Sequence, residues 1–252
     1  MNTQERPRRL DAVEIKVNVL ADGIPAAAEA FKLEHAGKRR RTIYFCEDLT
    51  CPDGPGGLPL LTHGIILRLR RNKGRRGDIT AKLRPCRDSQ LTQRWINARE
   101  DEDEDWDFRV EGDWAGPHHV ISASLEAKIE DGIIDAVVAE GLGVPLVPAQ
   151  RRFLEDCAGV RVDLSRLGPL GPIDGTKWEL ARRGQEIFAE QWVVGDGLRF
   201  LEFSVRARPE EAAAAQQAFE NLFREHGIDL DRVQETKTRV VLEYLAAGRG
   251  AG

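Results

Sequence analysis

Along residues 12–19, AVEIKVNV, apolar and polar positions alternate without a break. Val13, Ile15, Val17 and Val19 fall on one side, and Ala12, Glu14, Lys16 and Asn18 on the other. Strict period-two alternation marks a strand with one buried face. The pattern returns in GIILRLRR, where Ile65, Leu67 and Leu69 oppose Arg68 and Arg70, and in DITAKLRP, where Ile79, Ala81 and Leu83 oppose Thr80, Lys82 and Arg84. DFRVEGDW sets Phe108 and Val110 against Arg109, Glu111 and Asp113, and RFLEFSVRA sets Leu201, Phe203 and Val205 against Glu202, Ser204 and Arg206.

RRTIYFCEDL, TKWELARR and EIFAEQWVV read as further strands, Val160 and Val162 as a brief one, and ETKTRVVLEYL as a closing strand with Lys237 and Arg239 on one face. The glycines of NKGRRG suit a hairpin turn. AAAEAFKLEH and PAQRRFLEDC predict short helices. RPEEAAAAQQAFENLFREHG predicts a longer one, with Pro209 near its start and Gly227 at its end. In HHVISASLEAKIEDGIIDAVVAEG, Ile121, Leu125, Ile129, Ile133 and Val137 recur at helical spacing, so this stretch is also expected to be helical. CPDGPGG and LGPLGPIDG read as breaker-rich connectors, and EDEDEDWD, with seven acidic residues in eight, as a solvated loop inserted around 99–107. No repeat or linker divides the chain. Residues 10–246 are therefore expected to form one α+β domain of mainly antiparallel strands, with 1–9 and 247–252 as flexible tails.

Composition narrows the partners. With 37 Lys plus Arg against 42 Asp plus Glu, the net charge of −5 argues against coating a nucleic-acid polymer through bulk charge. No apolar run approaches the roughly 18 residues that cross a bilayer, so no membrane partner is expected. The start MNTQERPRRLD has no apolar leader, and the expected location is cytoplasmic. Cys46, Cys51, Cys86 and Cys157 lack CxxC spacing and a nearby histidine pair, which speaks against a zinc site or a disulfide framework. His118 and His119 are neighbours that point apart, His63 reads as a turn residue, and the five tryptophans read as packing residues. No P-loop, GxSxG or GxGxxG motif occurs.

Considered together, the charged strand faces carry more than a wet surface needs. If the sheet curls shut, arginines and lysines converge in a lumen while the apolar faces look outward to helices. Two cations ~4 Å apart repel by about 4 kcal/mol at an effective dielectric near ~20, so such a lumen calls for an anionic guest. Arginine forks grip phosphate oxygens bidentately and lysines add point charges. Neighbouring carboxylates make sense as oxygen ligands for Mg²⁺ or Mn²⁺.

At this point the chain resembles the CYTH or triphosphate tunnel metalloenzyme superfamily, which includes class IV adenylate cyclases, thiamine triphosphatases and inorganic triphosphatases. AVEIKVNV resembles the family's first strand, Glu-x-Glu-x-Lys, through Glu14 and Lys16. IYFCEDL and LPLLTHGIILRLRR resemble the segment ending in paired arginines, Arg68 and Arg70. ITAKL matches the lysine strand through Lys82, FRVEGD the Arg-x-Glu strand through Arg109 and Glu111, RFLEFSV the acidic strand through Glu202, and ETKTRVVLEYL the terminal lysine strand through Lys237. The resemblance implies an eight-stranded antiparallel barrel with helices outside. It implies metal-dependent hydrolysis of inorganic, nucleoside or thiamine triphosphate. Arg68, Arg70, Lys82, Arg109 and Lys237 would hold phosphates, Lys16 and Glu14 would serve catalysis, and Glu14, Glu111 and Glu202 would hold Mg²⁺ or Mn²⁺. Two departures weaken the metal half of that pattern: Ala12 replaces the first Glu, and Phe200 or Ser204 stands where a second carboxylate would partner Glu202. A tunnel that binds polyphosphate without turnover and a cyclase that releases pyrophosphate therefore stay open beside the hydrolase. So does oligomeric state, a homodimer among the options.

Overall fold

The structure is a computed structural model that describes residues 9–19, 21–50, 57–101, 104–141, 143–182, 184–195, 197–228, 230 and 237–249. Its strands are β1 (Ala12–Val19), β2 (Lys38–Asp48), β3 (Ile65–Asn72), β4 (Gly77–Leu83), β5 (Glu100–Asp101), β6 (Trp106–Ala115), β7 (His118–Ile129), β8 (Leu167–Arg182), β9 (Gln185–Val194) and β10 (Leu198–Ala207). They pair in the order β1-β10-β9-β8-β2-β3-β4-β7-β6-β5, and β1 also pairs with β6. Nine strands thus close into a barrel, with the two-residue β5 attached to β6. The expected count of eight is corrected to nine, and the expected all-antiparallel pairing to a mixed one. The reason is parity: a ring of alternating strand directions closes only with an even number, so a ninth strand forces one parallel pair. That pair is β1 with β6.

The alternation read from sequence is the barrel wall. Its apolar set faces outward onto α1 (Ile24–Ala30), α2 (Pro59–Thr62), α3 (Gln93–Asn97), α4 (Asp131–Glu140), α5 (Pro148–Cys157) and α6 (Ala212–Glu225), whereas α7 (Lys237–Arg249) packs on bore-lining side chains and contributes to the cavity itself. Leu67, Leu69, Ile79, Phe108 and Leu125 pack with Trp95, Ile134, Val137 and Phe153. Across the barrel, Val13, Ile15, Phe203 and Val205 pack with Ala27, Phe31, Phe219 and Phe223, and the Phe31 and Phe203 ring centroids lie 4.4 Å apart. A third cluster joins Val241 and Leu242 of α7 to Phe45, Trp192 and Phe200.

Gln150 ties α5 to the wall. It is fully buried, and its Nε2 donates to the Ile79 carbonyl at 2.9 Å and the Leu125 carbonyl at 3.0 Å. Gln150→Leu strands both acceptors away from water. It should cost about 1–3 kcal/mol in urea unfolding with an unchanged denaturant slope.

Several local expectations change. The stretch expected to be one helix is β7 followed by α4. The closing "strand" that carries Lys237 is the helix α7, and Val160 and Val162 form no strand. The supposed connector LGPLGPIDG lies within β8. Its two prolines sit where β8 pairs only with β2, because pairing with β9 begins at Asp174, so an absent N–H costs no ladder bond on the free side. Arg9 is no loose tail residue: its guanidinium is buried, bonded to Asp11 and, at 3.0 Å each, to the Trp95 and Phe108 carbonyls. The expected tail at 247–249 belongs to α7, while 1–8 and 250–252 lie outside the described residues. Glu100 and Asp101 of the acidic stretch are strand-paired, and 102–103 and 51–56, including Cys51, lie outside the described residues. Cys46, Cys86 and Cys157 are free and buried. Among the described residues no helix is long and apolar enough to cross a membrane.

Candidate functional site

The bore holds a cavity of about 370 Å³ to which every barrel strand and α7 contribute side chains. β1 supplies Glu14 and Lys16, β3 supplies Arg68 and Arg70, β4 supplies Lys82, β6 supplies Arg109 and Glu111, β10 supplies Glu202, and α7 supplies Lys237. Every site residue chosen from sequence therefore lines one space. For those on strands, convergence follows from the strand period: once the apolar set faces the helices, the intervening set can point only inward.

Two ionic hubs organise the lining. At one, the buried Asp113 accepts from Lys16, and from Lys82 at 2.9 Å, and forms an ion pair with Arg84 at 3.2 Å, while Lys16 also meets Glu14 at 2.9 Å. Burial alone would raise the Asp113 carboxyl, but the Lys16, Lys82 and Arg84 cations outweigh it and hold it well below the usual carboxylate range. Burial acts to lower Lys16, yet Asp113 and Glu14 raise its ammonium above its ordinary value, so it stays protonated. Lys82 moves the other way: burial lowers it, and Asp113 does not fully compensate.

At the second hub, Arg70 pairs with Asp78 at 2.6 Å and Glu126 at 2.5 Å. Lys237 meets Glu202 at 3.0 Å and Glu190 at 3.3 Å, and its ammonium lies 4.0 Å from the Trp192 ring centroid. Glu190 also takes Arg41 at 3.3 Å. Arg206 pairs with Glu111, and Arg109 with Asp107.

Two lining cations, Arg68 and Lys177, stand apart from these pairs. Arg68 donates to the Thr80 hydroxyl at 3.2 Å, its Nε is buried without a hydrogen-bond partner, and among the described residues it has no ion pair. Burial, with Arg70 alongside, pushes its guanidinium down to about 10. A cation in that position is short of an anion.

The carboxylates expected to hold Mg²⁺ or Mn²⁺ are dispersed. Glu14 is taken by Lys16, Glu111 by Arg206 and Glu202 by Lys237. Among the described residues no three His, Cys, Asp or Glu side chains gather as a metal-ligand group. As placed, Glu14, Glu111 and Glu202 do not fit a divalent ion held by the protein alone.

Sequence reasoning missed Arg41, Glu126 and Glu190 as site residues, and treated Asp113 as one charge among several. Asp113 and Arg84 were visible on charged strand faces, but nothing in a linear pattern says that one carboxylate collects three cations. Arg41 sits in the run KRRR, where alternation is absent. The histidines stayed outside: His63 Nδ1 meets the Pro59 carbonyl at 2.8 Å, and His119 stacks on Trp114 at 3.9 Å.

No family model and no curated protein matches the chain. Solved structures do. A protein from Hippeastrum, described as a candidate adenylyl cyclase with a dominant triphosphatase activity, aligns with a TM-score of 0.59 at 15% identity, over 91% of this chain and 94% of that one. A candidate adenylate cyclase from Bacillus halodurans aligns with a TM-score of 0.56 at 12% identity, over 90% and 96%. At such identities the likeness is one of fold.

Proposed function

We propose that this chain, which has the tunnel fold of the CYTH or triphosphate tunnel metalloenzyme superfamily, binds a triphosphate-bearing anion in its bore and hydrolyses it. The observation that carries this reading is Arg68, a half-buried residue whose Nε is buried without a hydrogen-bond partner and which has no ionic partner among the described residues, set in a wall of further cations. Phosphate oxygens would satisfy Arg68 directly. They would then compete with the carboxylates for Arg70, Lys82, Arg109 and Lys237, since charge-assisted bonds to phosphate match those to carboxylate. Lys16, kept protonated by Asp113, contributes charge and takes no proton. Cations fixed around a transferring phosphoryl group stabilise the charge on its oxygens as water attacks in line. Glu14 stays ionised beside Lys16: burial raises its carboxyl, but the Lys16 and Lys82 charges hold it below its ordinary value. No step is assigned to a metal, because the carboxylates do not gather for one. The Hippeastrum protein's dominant triphosphatase activity supports water, over a ribose hydroxyl, as the acceptor.

The engaged carboxylates favour a second reading, in which the bore binds the anion without turning it over. Phosphate release from tripolyphosphate, ATP and thiamine triphosphate, with Mg²⁺, with Mn²⁺ and with EDTA, decides between them. Release from at least one substrate is expected. Tight binding without release would select the second reading, cyclic AMP with pyrophosphate would select cyclisation, and neither binding nor release would end all three.

A further inference from the structure

Glu190 of β9 and Glu202 of β10 stand directly opposite each other across the ladder, and both line the bore. Like charges in that relation repel, so the pair calls for a cation between them. The protein supplies one. Lys237 Nζ lies 3.0 Å from Glu202 and 3.3 Å from Glu190, and its side chain is 5% exposed. Val241, one helical turn further along α7, is fully buried in a cluster with Phe45 and Trp192, which seats the start of the helix at the bore. The Trp192 ring centroid lies 4.0 Å from the ammonium and adds a cation–π contact. Burial would raise the Glu190 carboxyl, but the Lys237 and Arg41 charges hold it below its ordinary value, so it stays an anion for the lysine to bridge.

A divalent ion placed between these carboxylates would meet an ammonium already engaged with both. Mg²⁺ also asks for a near-octahedral set of oxygens. Ser204, two residues beyond Glu202 and likewise lining the bore, brings a hydroxyl where a further carboxylate would be needed. An ammonium asks for less: with three donors it can hold two carboxylates and still meet an oxygen of a guest. We propose that Lys237 is this chain's substitute for a divalent ion, a cation carried by the protein that bridges Glu190 and Glu202 to a phosphate oxygen, so that a triphosphate-bearing anion binds in the bore without metal. The inference rests on the reading that the bore holds phosphate, and departs from the metal requirement that the sequence resemblance implies.

Calorimetry on the whole protein can compare tripolyphosphate binding in EDTA with binding in Mn²⁺. The wild type is expected to bind in EDTA at least as tightly as in Mn²⁺, since the ion masks charge on the ligand and finds no place between the two glutamates. Lys237→Met frees that place. In EDTA it should bind tripolyphosphate roughly tenfold or more weakly than wild type, as befits the loss of a hydrogen bond from a charged group. In Mn²⁺ most of that gap should close, because the ion can now occupy the position the ammonium held. Lys237→Gln, which keeps a donor without the charge, gives the same comparison if Lys237→Met does not fold. Wild-type protein that binds tripolyphosphate only with Mn²⁺ would overturn the proposal. So would a variant that binds in EDTA as wild type does, or one whose lost affinity Mn²⁺ does not return, which would make Lys237 a phosphate contact and nothing more. Tripolyphosphate that binds the wild type neither in EDTA nor in Mn²⁺ would instead end the bore reading from which this inference starts.

Discussion

Asp113→Asn is expected to destabilise the folded protein by about 3–5 kcal/mol, the usual cost of removing the charge that compensates buried cations. One carboxylate serves Lys16, Lys82 and Arg84, so its loss leaves three cations crowded in the wall rather than one. Urea unfolding at neutral pH measures the cost. The pH dependence has a definite sign. The folded pKa of Asp113 lies below its unfolded value of 3.8, so its contribution is complete above about pH 4–5 and fades as pH falls through the lower, folded value. The wild-type curve should therefore fall toward the variant's in strong acid, with the two far apart at neutrality. Tripolyphosphate should restore much of the variant's stability, since it can replace the missing anion and ligands that bind only the folded state stabilise it. A variant as stable as wild type without ligand would mean that the three cations had found other partners, and the hub would lose its importance.

Arg68→Met should change stability and binding in opposite directions. An apolar side chain of similar length removes a half-buried charge that has no direct counter-ion among the described residues, and melting should shift upward, as when desolvated ionic groups are replaced by apolar ones. Tripolyphosphate affinity should fall roughly tenfold to a hundredfold, the equivalent of the ~1.5–3 kcal/mol of hydrogen bonds to a charged group. A purely structural residue would lose stability when truncated, so the paired signs identify a group held in place for a ligand. Unchanged affinity would remove the main support for phosphate in the bore.

The wall was legible wherever alternation was clean. β1, β3, β4, β6 and β10 were placed with the correct inward faces, because a one-residue slip would have put every valine and leucine into the bore. β7 was misread for a specific reason. Ile121, Leu125 and Ile129 are four apart, which fits a helix, but four is also an even number and keeps all three on one strand face. Ala123 and Ala127 complete that face and are buried with Leu125 and Ile129, with the partly buried Ile121 packed against them. Lys237 was found as a cation of the site but placed on the wrong kind of element, since VVLEYL pairs adjacent apolar residues in a way neither period forbids. The barrel strand that went unseen was therefore β7, while β8 was read only in its second half, TKWELARR, because LGPLGPIDG before it carries the residues of a turn. The distribution of the carboxylates was equally hidden: composition lists acids and bases, while partners are chosen by the registers of strands far apart in sequence.

The seam at β1 has a consequence for how the protein comes into being. Val13 pairs with Gly112 on one side and with Ala207 on the other, so neither edge of the first strand has its neighbour when it leaves the ribosome. Contacts across such long stretches of chain close slowly. A nascent molecule must therefore carry an open, valine-rich edge through most of its own synthesis, a template on which other chains could assemble. Chaperones, cool expression and slow translation become conditions for its yield.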